Sequence, residues 1–126
     1  MFLKLVSVFV GGGLGAICRY GLTVLSSRYF SNPIAGTFSS NIIGCFIIGC
    51  FFGFLLNKAE SVPQMMKLFI TTGLLGGLTT FSTLNFEVFE LIKTGKILLG
   101  FSYLFLSCFI GLCFVYIGYL LFSKIF

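Results

Sequence analysis

Long apolar runs separated by short polar stretches are the feature that most constrains the fold of this chain. A transmembrane helix needs about 20 mostly apolar residues. Four segments meet this requirement, at residues 3–25, 34–56, 65–92 and 97–122. Only 9% of the residues are charged, whereas a soluble domain carries roughly a quarter. The pattern predicts an all-α integral membrane protein, with residues 1–126 forming a single domain of four transmembrane helices.

The scarcity of charged and metal-binding side chains argues against several functions. The net charge of +5 is thinly spread, without the basic face that nucleic-acid binding needs. Histidine, the commonest metal ligand and proton shuttle, is absent. The five cysteines lie in apolar runs without a C-x-x-C pair, so we interpret them as small core residues rather than disulfide or metal sites. The chain has no nucleotide-binding motif, and we do not expect an enzyme.

Positive charges are almost evenly divided between the two sides of the predicted membrane domain. With four spans, both termini lie on one side with four lysines, and three positive residues lie on the other: Lys4, Lys58, Lys67 and Lys124 against Arg28, Lys93 and Lys96. Membrane proteins orient by an excess of Lys and Arg in cytoplasmic loops. Four against three predicts insertion in both directions and an antiparallel pair of copies. The alternative is that one or two charges still fix a single orientation.

The third apolar segment contains the stretch "TTGLLGGLTTFST", which is a poor continuous helix. Its glycines favour a break, and its hydroxyl side chains compete for backbone hydrogen bonds. We therefore predict two half-helices around Gly76–Thr80. Such a break releases carbonyl groups that can bind a cation and amide groups that can attract an anion. The alternative is a kinked but intact helix in which the glycines serve close packing.

Polar and aromatic side chains share one face beyond the predicted break. Helical spacing of i, i+3, i+4 and i+7 groups four residues, with Phe81 and Leu84 beside them: Thr79, Ser82, Thr83 and Phe86. Hydroxyl groups donate hydrogen bonds without carrying charge, and an aromatic ring has a positive edge. This face therefore suits the passage of a small anion.

Single polar residues in the other spans add candidates, each with a second interpretation. Asn41 offers amide donors or an interhelical hydrogen bond. Arg19 faces a water-filled cavity or a partner, or snorkels to the interface. Glu87 lies at the mouth of a pathway or pairs with a lysine. Tyr103 supplies a phenolic hydrogen or anchors in the headgroup region.

Three sequence pieces, "GGGLGAICRYGL", "GTFSSNIIGCFIIG" and "TGLLGGLTTFSTLNFE", occur in the order found in the Fluc/CrcB family of fluoride channels. The chain resembles this family over essentially its whole length. The resemblance implies a fluoride-selective passive channel in the plasma membrane, the inner membrane of a bacterium. It further implies an antiparallel, dual-topology homodimer in membrane lipid, with two fluoride pores. A structural sodium ion at the dimer centre would be held by main-chain carbonyls of Gly76 and Thr79.

The same resemblance implies roles for other residues. Asn41, Phe81, Ser82, Thr83 and Tyr103 correspond to pore residues of the family, and further matches lie at Arg19, Thr80 and Glu87. The chain departs from the family pattern at Leu84, where a second pore phenylalanine is usual. We expect this ion station to be weaker, or to be supplied by a residue such as Phe86.

Two other kinds of protein fit the sequence less well. A dual-topology proton-coupled exporter would also be small, with four spans. It would need a carboxylate deep in the membrane, usually in the first span, and the first two spans contain none. A structural or assembly subunit would explain the glycines but not the hydroxyl groups crowded beside them.

Overall fold

The computed structural model describes all 126 residues, and every regular element in it is helical. The helices are α1 (Phe2–Phe30), α2 (Ile34–Lys58), α3 (Gln64–Leu68), α4 (Gly76–Leu78), α5 (Phe81–Lys93) and α6 (Ile97–Ile125). A short 3₁₀ turn, Ala59–Ser61, follows α2, and a π-helical segment, Phe69–Leu75, joins α3 to α4. The chain thus forms four helical regions, the third of which is composite.

Three of these regions are long and apolar enough to cross a membrane as single helices: Phe2–Phe30, Ile34–Ser61 and Ile97–Ile125. Most of their large apolar side chains are exposed in the single chain, as expected where lipid or another protein covers the surface. α1 continues past the predicted end at residue 25. It stops where Ser31 adopts a left-handed conformation (φ 53°) just before Pro33, because a left-handed residue and a nearby proline both terminate helices. The protein is a multi-pass membrane protein.

The third helical region changes conformation at two threonines. Thr79 (φ −91°, ψ 154°) and Thr80 (φ −150°, ψ 114°) are extended, with helix on both sides. The irregular backbone is shorter than the predicted Gly76–Thr80, because Gly76 and Gly77 are helical. Gly77 lies against α1, where an added Cβ would overlap the carbonyl oxygen of Gly12. Gly77 therefore serves close packing, whereas Gly76 has open space around it, and the extended backbone begins only after Leu78.

The segments before and after the two extended threonines pack on different helices. The π-helical segment and α4 lie along α1, whereas α5 lies along α6. α2 packs along most of α6 and also reaches α1 and α5. Glycines bring α1 close to the third region, since a Cβ on Gly11 would lie 2.9 Å from the amide nitrogen of Leu74. The chain therefore changes packing partner at Thr79 and Thr80.

Candidate functional site

Thr80 begins α5 and caps it with its own side chain. Its Oγ1 accepts a hydrogen bond from the Thr83 amide at 3.2 Å and donates one to Thr83 Oγ1 at 3.0 Å. Ser82 Oγ lies 3.4 Å from the same Thr80 oxygen. A threonine at this position stabilises a helix by satisfying a free amide of the first turn. Three of the predicted site hydroxyls, those of Thr80, Ser82 and Thr83, are therefore brought together.

Asn41 of α2 pairs with the backbone of Thr80 through both ends of its amide. The Thr80 amide donates to Asn41 Oδ1 at 2.7 Å, and Asn41 Nδ2 donates to the Thr80 carbonyl at 3.2 Å. The side chain thus replaces the two backbone hydrogen bonds that Thr80 would make in regular structure. One N–H of the Asn41 amide remains free for another acceptor. The interhelical hydrogen bond considered for Asn41 is therefore present.

A cavity of about 340 Å³ lies beside this pair. Its lining includes Asn41, Gly76, Thr79, Thr80, Phe81 and Leu84, and it contains no charged side chain. Phe81 is 76% exposed in the single chain, whereas Leu84 is buried. The Thr79 hydroxyl donates to the Leu75 carbonyl at 2.8 Å. Because Thr79 is extended, it does not continue the helical stripe of Ser82, Thr83 and Phe86, and that part of the expected face is wrong.

A second cavity, of about 320 Å³, also borders Thr80. It is lined by Arg19, Thr37, Thr80, Thr83 and Glu87, with further residues of α1 and with Pro33, which precedes α2. Arg19 and Glu87 face this space without forming a salt bridge, since the only salt bridge of the chain joins Lys93 to Glu90 at 3.6 Å. Thr80 lines both cavities.

Glu87 joins three helices through its carboxylate. Thr37 Oγ1 of α2 donates to Glu87 Oε1 at 2.6 Å, and the Tyr103 hydroxyl of α6 donates to Glu87 Oε2 at 2.8 Å. Each of the two carboxyl oxygens thus accepts one hydrogen bond. Pairing with a lysine, one interpretation of Glu87, is not found. Tyr103 does supply its phenolic hydrogen, and it supplies it to this carboxylate.

Two residues of this region were missed from the sequence. Thr37 is buried and lies one helical turn before Asn41, so the two face α5 together. This i, i+4 spacing of polar residues within an apolar helix was the available signal. Ser107 of α6 is also buried, one turn beyond Tyr103, and its hydroxyl has no hydrogen-bond partner. No group of three or more His, Cys, Asp or Glu residues could hold a metal ion.

Hydroxyl and amide donors gathered around extended backbone inside a multi-pass helical membrane protein suit a path for ions. The chain belongs to the CrcB family: it matches the family described as CrcB-like protein, Camphor Resistance (CrcB), over residues 6–119. The family consists of transport proteins rather than enzymes.

Several relatives are similar over nearly their whole length. A protein of Flavobacterium psychrophilum is 41% identical over 112 residues, covering 88% of this chain and 90% of the relative. A protein of Gloeothece citriformis is 42% identical over 117 residues, covering 92% and 94%. A protein of Aquifex aeolicus is 39% identical over 117 residues, covering 91% and 93%. Each relative is named a fluoride-specific ion channel, FluC.

Proposed function

We propose that the protein is a fluoride-selective passive channel that lets cytoplasmic fluoride leave the cell. The observation that carries the proposal is the uncharged cavity beside Thr80, lined by the Asn41 amide and the ring of Phe81. Fluoride holds its water strongly, so a path must offer replacement donors, none of which binds too tightly to release the ion. Neutral donors and an aromatic edge meet both requirements. The names of the relatives support the same ion.

The direction of flow follows from acid chemistry. Hydrogen fluoride is a neutral weak acid, so it crosses lipid and then ionises in a less acidic cytoplasm, where fluoride is trapped. A passive pore is sufficient to release it. Along this path, the hydroxyl groups of Ser82 and Thr83 and the phenol of Tyr103 would add donors. Arg19, in the second cavity, would attract the anion toward the Thr80 region.

The functional unit in this proposal is an antiparallel homodimer with two pores. The four-to-three division of positive charges supports insertion in both directions. The 76% exposure of Phe81 in the single chain also supports a partner, because a ring that serves an ion must be enclosed. In such a dimer, the interruption at Thr79 and Thr80 lies in the membrane. Irregular backbone is tolerated there only where protein or a water-filled cavity encloses it.

A structural sodium ion at the centre of the dimer completes the proposal. The main-chain carbonyls of Gly76 and Thr79 would hold it, and two copies would together supply four oxygens. The residues fit, because neither the Thr79 nor the Thr80 amide serves the Gly76 carbonyl: the first donates to Leu75 and the second to Asn41. Carbonyl oxygens are suitable ligands for a hard cation. When bound, the ion would balance the negative ends of carbonyl dipoles brought together by the two subunits.

Ion efflux from liposomes tests the function. Vesicles loaded with fluoride or with chloride and containing the purified protein should release fluoride rapidly and retain chloride. Phe81→Ile should slow fluoride release by about tenfold or more, because it removes the aromatic edge that stabilises the passing ion. A loss of about 1.4 kcal/mol of that stabilisation lowers the rate tenfold. Phe89→Ile is the matched control, since Phe89 lies on the same helix, is exposed and lines neither cavity. Equal release of both ions would contradict fluoride selectivity.

The competing function, proton-coupled export, gives a different result. It requires uptake of a substrate driven by a pH gradient, with no fluoride leak. Glu87 is the only carboxylate that lines either of the two cavities, and it lies on α5 between two hydroxyl donors. Uptake that follows the pH gradient and is lost in Glu87→Gln would favour the exporter.

A further inference from the structure

We infer that Asn41 and Thr80 are positioning residues that open the proposed sodium site, by capturing the two backbone amides that would otherwise occupy its carbonyl oxygens. The inference rests on the proposed sodium ion of the preceding section. In this inference the Asn41 side chain holds the backbone conformation of the third helical region, in addition to any contact that it makes with fluoride.

The hydrogen-bond pattern of an α-helix identifies the two amides. Each amide donates to the carbonyl four residues earlier, so the Gly76 carbonyl would receive the Thr80 amide, and the Thr79 carbonyl would receive the Thr83 amide. In the structure, the Thr80 amide donates to Asn41 Oδ1 at 2.7 Å. The Thr83 amide donates to Thr80 Oγ1 at 3.2 Å. Each carbonyl of the proposed site has thus lost its helical partner to a particular side chain.

The two remaining amides at the interruption behave differently. The amides of Phe81 and Ser82 would serve the carbonyls of Gly77 and Leu78, and no side chain accepts from either amide. Side-chain capture is therefore confined to the two amides whose helical acceptors are the Gly76 and Thr79 carbonyls. A helix cap alone would explain the Thr83 amide but would not explain the use of a residue from α2.

Burial explains why the capture by Asn41 holds the backbone open. Thr80 is buried and Asn41 half-buried, in a protein whose surroundings include lipid. An unpaired backbone amide in that setting costs several kcal/mol. Without Asn41, the least costly remedy is to continue the helix, which would return the Thr80 amide to the Gly76 carbonyl. Asn41 prevents this closure, because it accepts from the Thr80 amide and also donates to the Thr80 carbonyl.

Sodium binding by the purified full-length protein tests the inference. The measurements are retention of radioactive sodium and the rise in unfolding temperature when sodium replaces a large organic cation. Asn41→Leu removes the acceptor for the Thr80 amide, whereas Asn41→Asp keeps it. Thr80→Val removes the acceptor for the Thr83 amide, whereas Thr80→Ser keeps it. Asn57→Leu is the control, because Asn57 is exposed near the end of the same helix and makes no side-chain hydrogen bond.

The expected pattern separates variants by their acceptor. Asn41→Leu and Thr80→Val should raise the sodium concentration for half-saturation by at least about tenfold, which corresponds to about 1.4 kcal/mol. Thr80→Ser and Asn57→Leu should remain close to the wild type, and Asn41→Asp, which keeps the acceptor but lacks the donor to the Thr80 carbonyl, should bind sodium more tightly than Asn41→Leu. Fluoride efflux should nevertheless fall in Asn41→Asp, because the new negative charge repels the anion. Retained sodium binding with reduced flux in this variant is the signature of a positioning role.

The other outcomes are equally decisive. If Asn41→Leu loses flux but binds sodium like the wild type, the inference is wrong, and Asn41 acts only on fluoride. If Asn41→Leu fails to assemble, the comparison of Thr80→Val with Thr80→Ser decides. Fluoride flux without any sodium dependence in the wild type would overturn the inference and leave the channel intact. Sodium dependence without fluoride selectivity would overturn the proposed function and, with the pattern above, support the inference.

Discussion

The carboxylate of Glu87 offers a sharp test of how the helices are held together. It accepts hydrogen bonds from Thr37 on α2 at 2.6 Å and from Tyr103 on α6 at 2.8 Å. Tyr103→Phe and Thr37→Val each remove one hydroxyl while keeping nearly the same shape. Each substitution should lower the stability of the folded protein, because a half-buried carboxylate oxygen loses its donor.

The expected loss of folding stability depends on which of two ranges of hydrogen-bond energy applies. Hydrogen bonds to charged groups contribute about 1.5–3 kcal/mol in soluble proteins. Hydrogen bonds between membrane helices average about 0.6 kcal/mol and reach about 1.7 kcal/mol. Glu87 is a carboxyl acceptor between membrane helices beside a cavity, so we expect a value between these ranges, about 1–2 kcal/mol for each substitution. The double substitution should cost at least about 0.5 kcal/mol less than the sum, because the two donors share one acceptor group.

Reversible unfolding in mixed detergent micelles provides the measurement. Tyr116→Phe is the matched control, because Tyr116 lies on the same helix, is 62% exposed and makes no side-chain hydrogen bond. It should change the free energy of unfolding by less than about 0.5 kcal/mol. If Tyr103→Phe is as stable as Tyr116→Phe, the Glu87 contact does not hold α6 in place. Strict additivity of Tyr103→Phe and Thr37→Val would show that the two hydroxyl groups do not share the carboxylate.

Three further predictions concern packing, the pore and orientation. Gly15→Ala should destabilise the protein by about 1–3 kcal/mol, because its Cβ would overlap the Leu74 carbonyl oxygen. Gly13→Ala, two residues earlier with nothing within 4 Å, should be neutral or stabilising in the same unfolding assay. Leu84→Phe should keep or slightly raise fluoride efflux, because Leu84 lines a cavity of about 340 Å³ that can receive the ring; a severe loss would show that this space is needed empty. Ser61→Cys, exposed in the turn after α2, should react with an impermeant thiol reagent from both sides of the membrane, and labelling from one side alone would rule out dual insertion.

The helical architecture could be predicted because it depends on length and apolarity, which are local properties. The predicted helix ends were less accurate, because α1 runs to Phe30 and α6 to Ile125. A helix continues beyond its apolar residues until a stop signal such as Ser31 intervenes. The conformation of Gly76 and Gly77 could not be predicted from composition. Glycine permits both a break and close packing, and the carbonyl of Gly12 that lies against Gly77 is brought there only by the three-dimensional packing of α1.

The residues of the candidate site could be predicted from the sequence, but the hydrogen bonds between them could not. Asn41, Thr80 and Glu87 could each be singled out as polar residues in apolar surroundings. Their partners could not be identified, because Asn41 and Thr80 are 39 positions apart and Thr37 and Glu87 are 50 apart. Pairings of this kind depend on how α2 packs against α5, and a local sequence pattern does not determine that packing.

The change of packing partner at Thr79 and Thr80 has a consequence for how the protein is made. Synthesis proceeds from the N-terminus, and segments can begin to pack as they emerge. The π-helical segment and α4 find α1 already in the membrane, whereas α5 must wait for α6, the last helix of the chain. Until then, the only hydroxyl available to Glu87 is that of Thr37. A chain that ends before α6 would therefore leave α5 without its main packing partner and Glu87 without the Tyr103 hydroxyl.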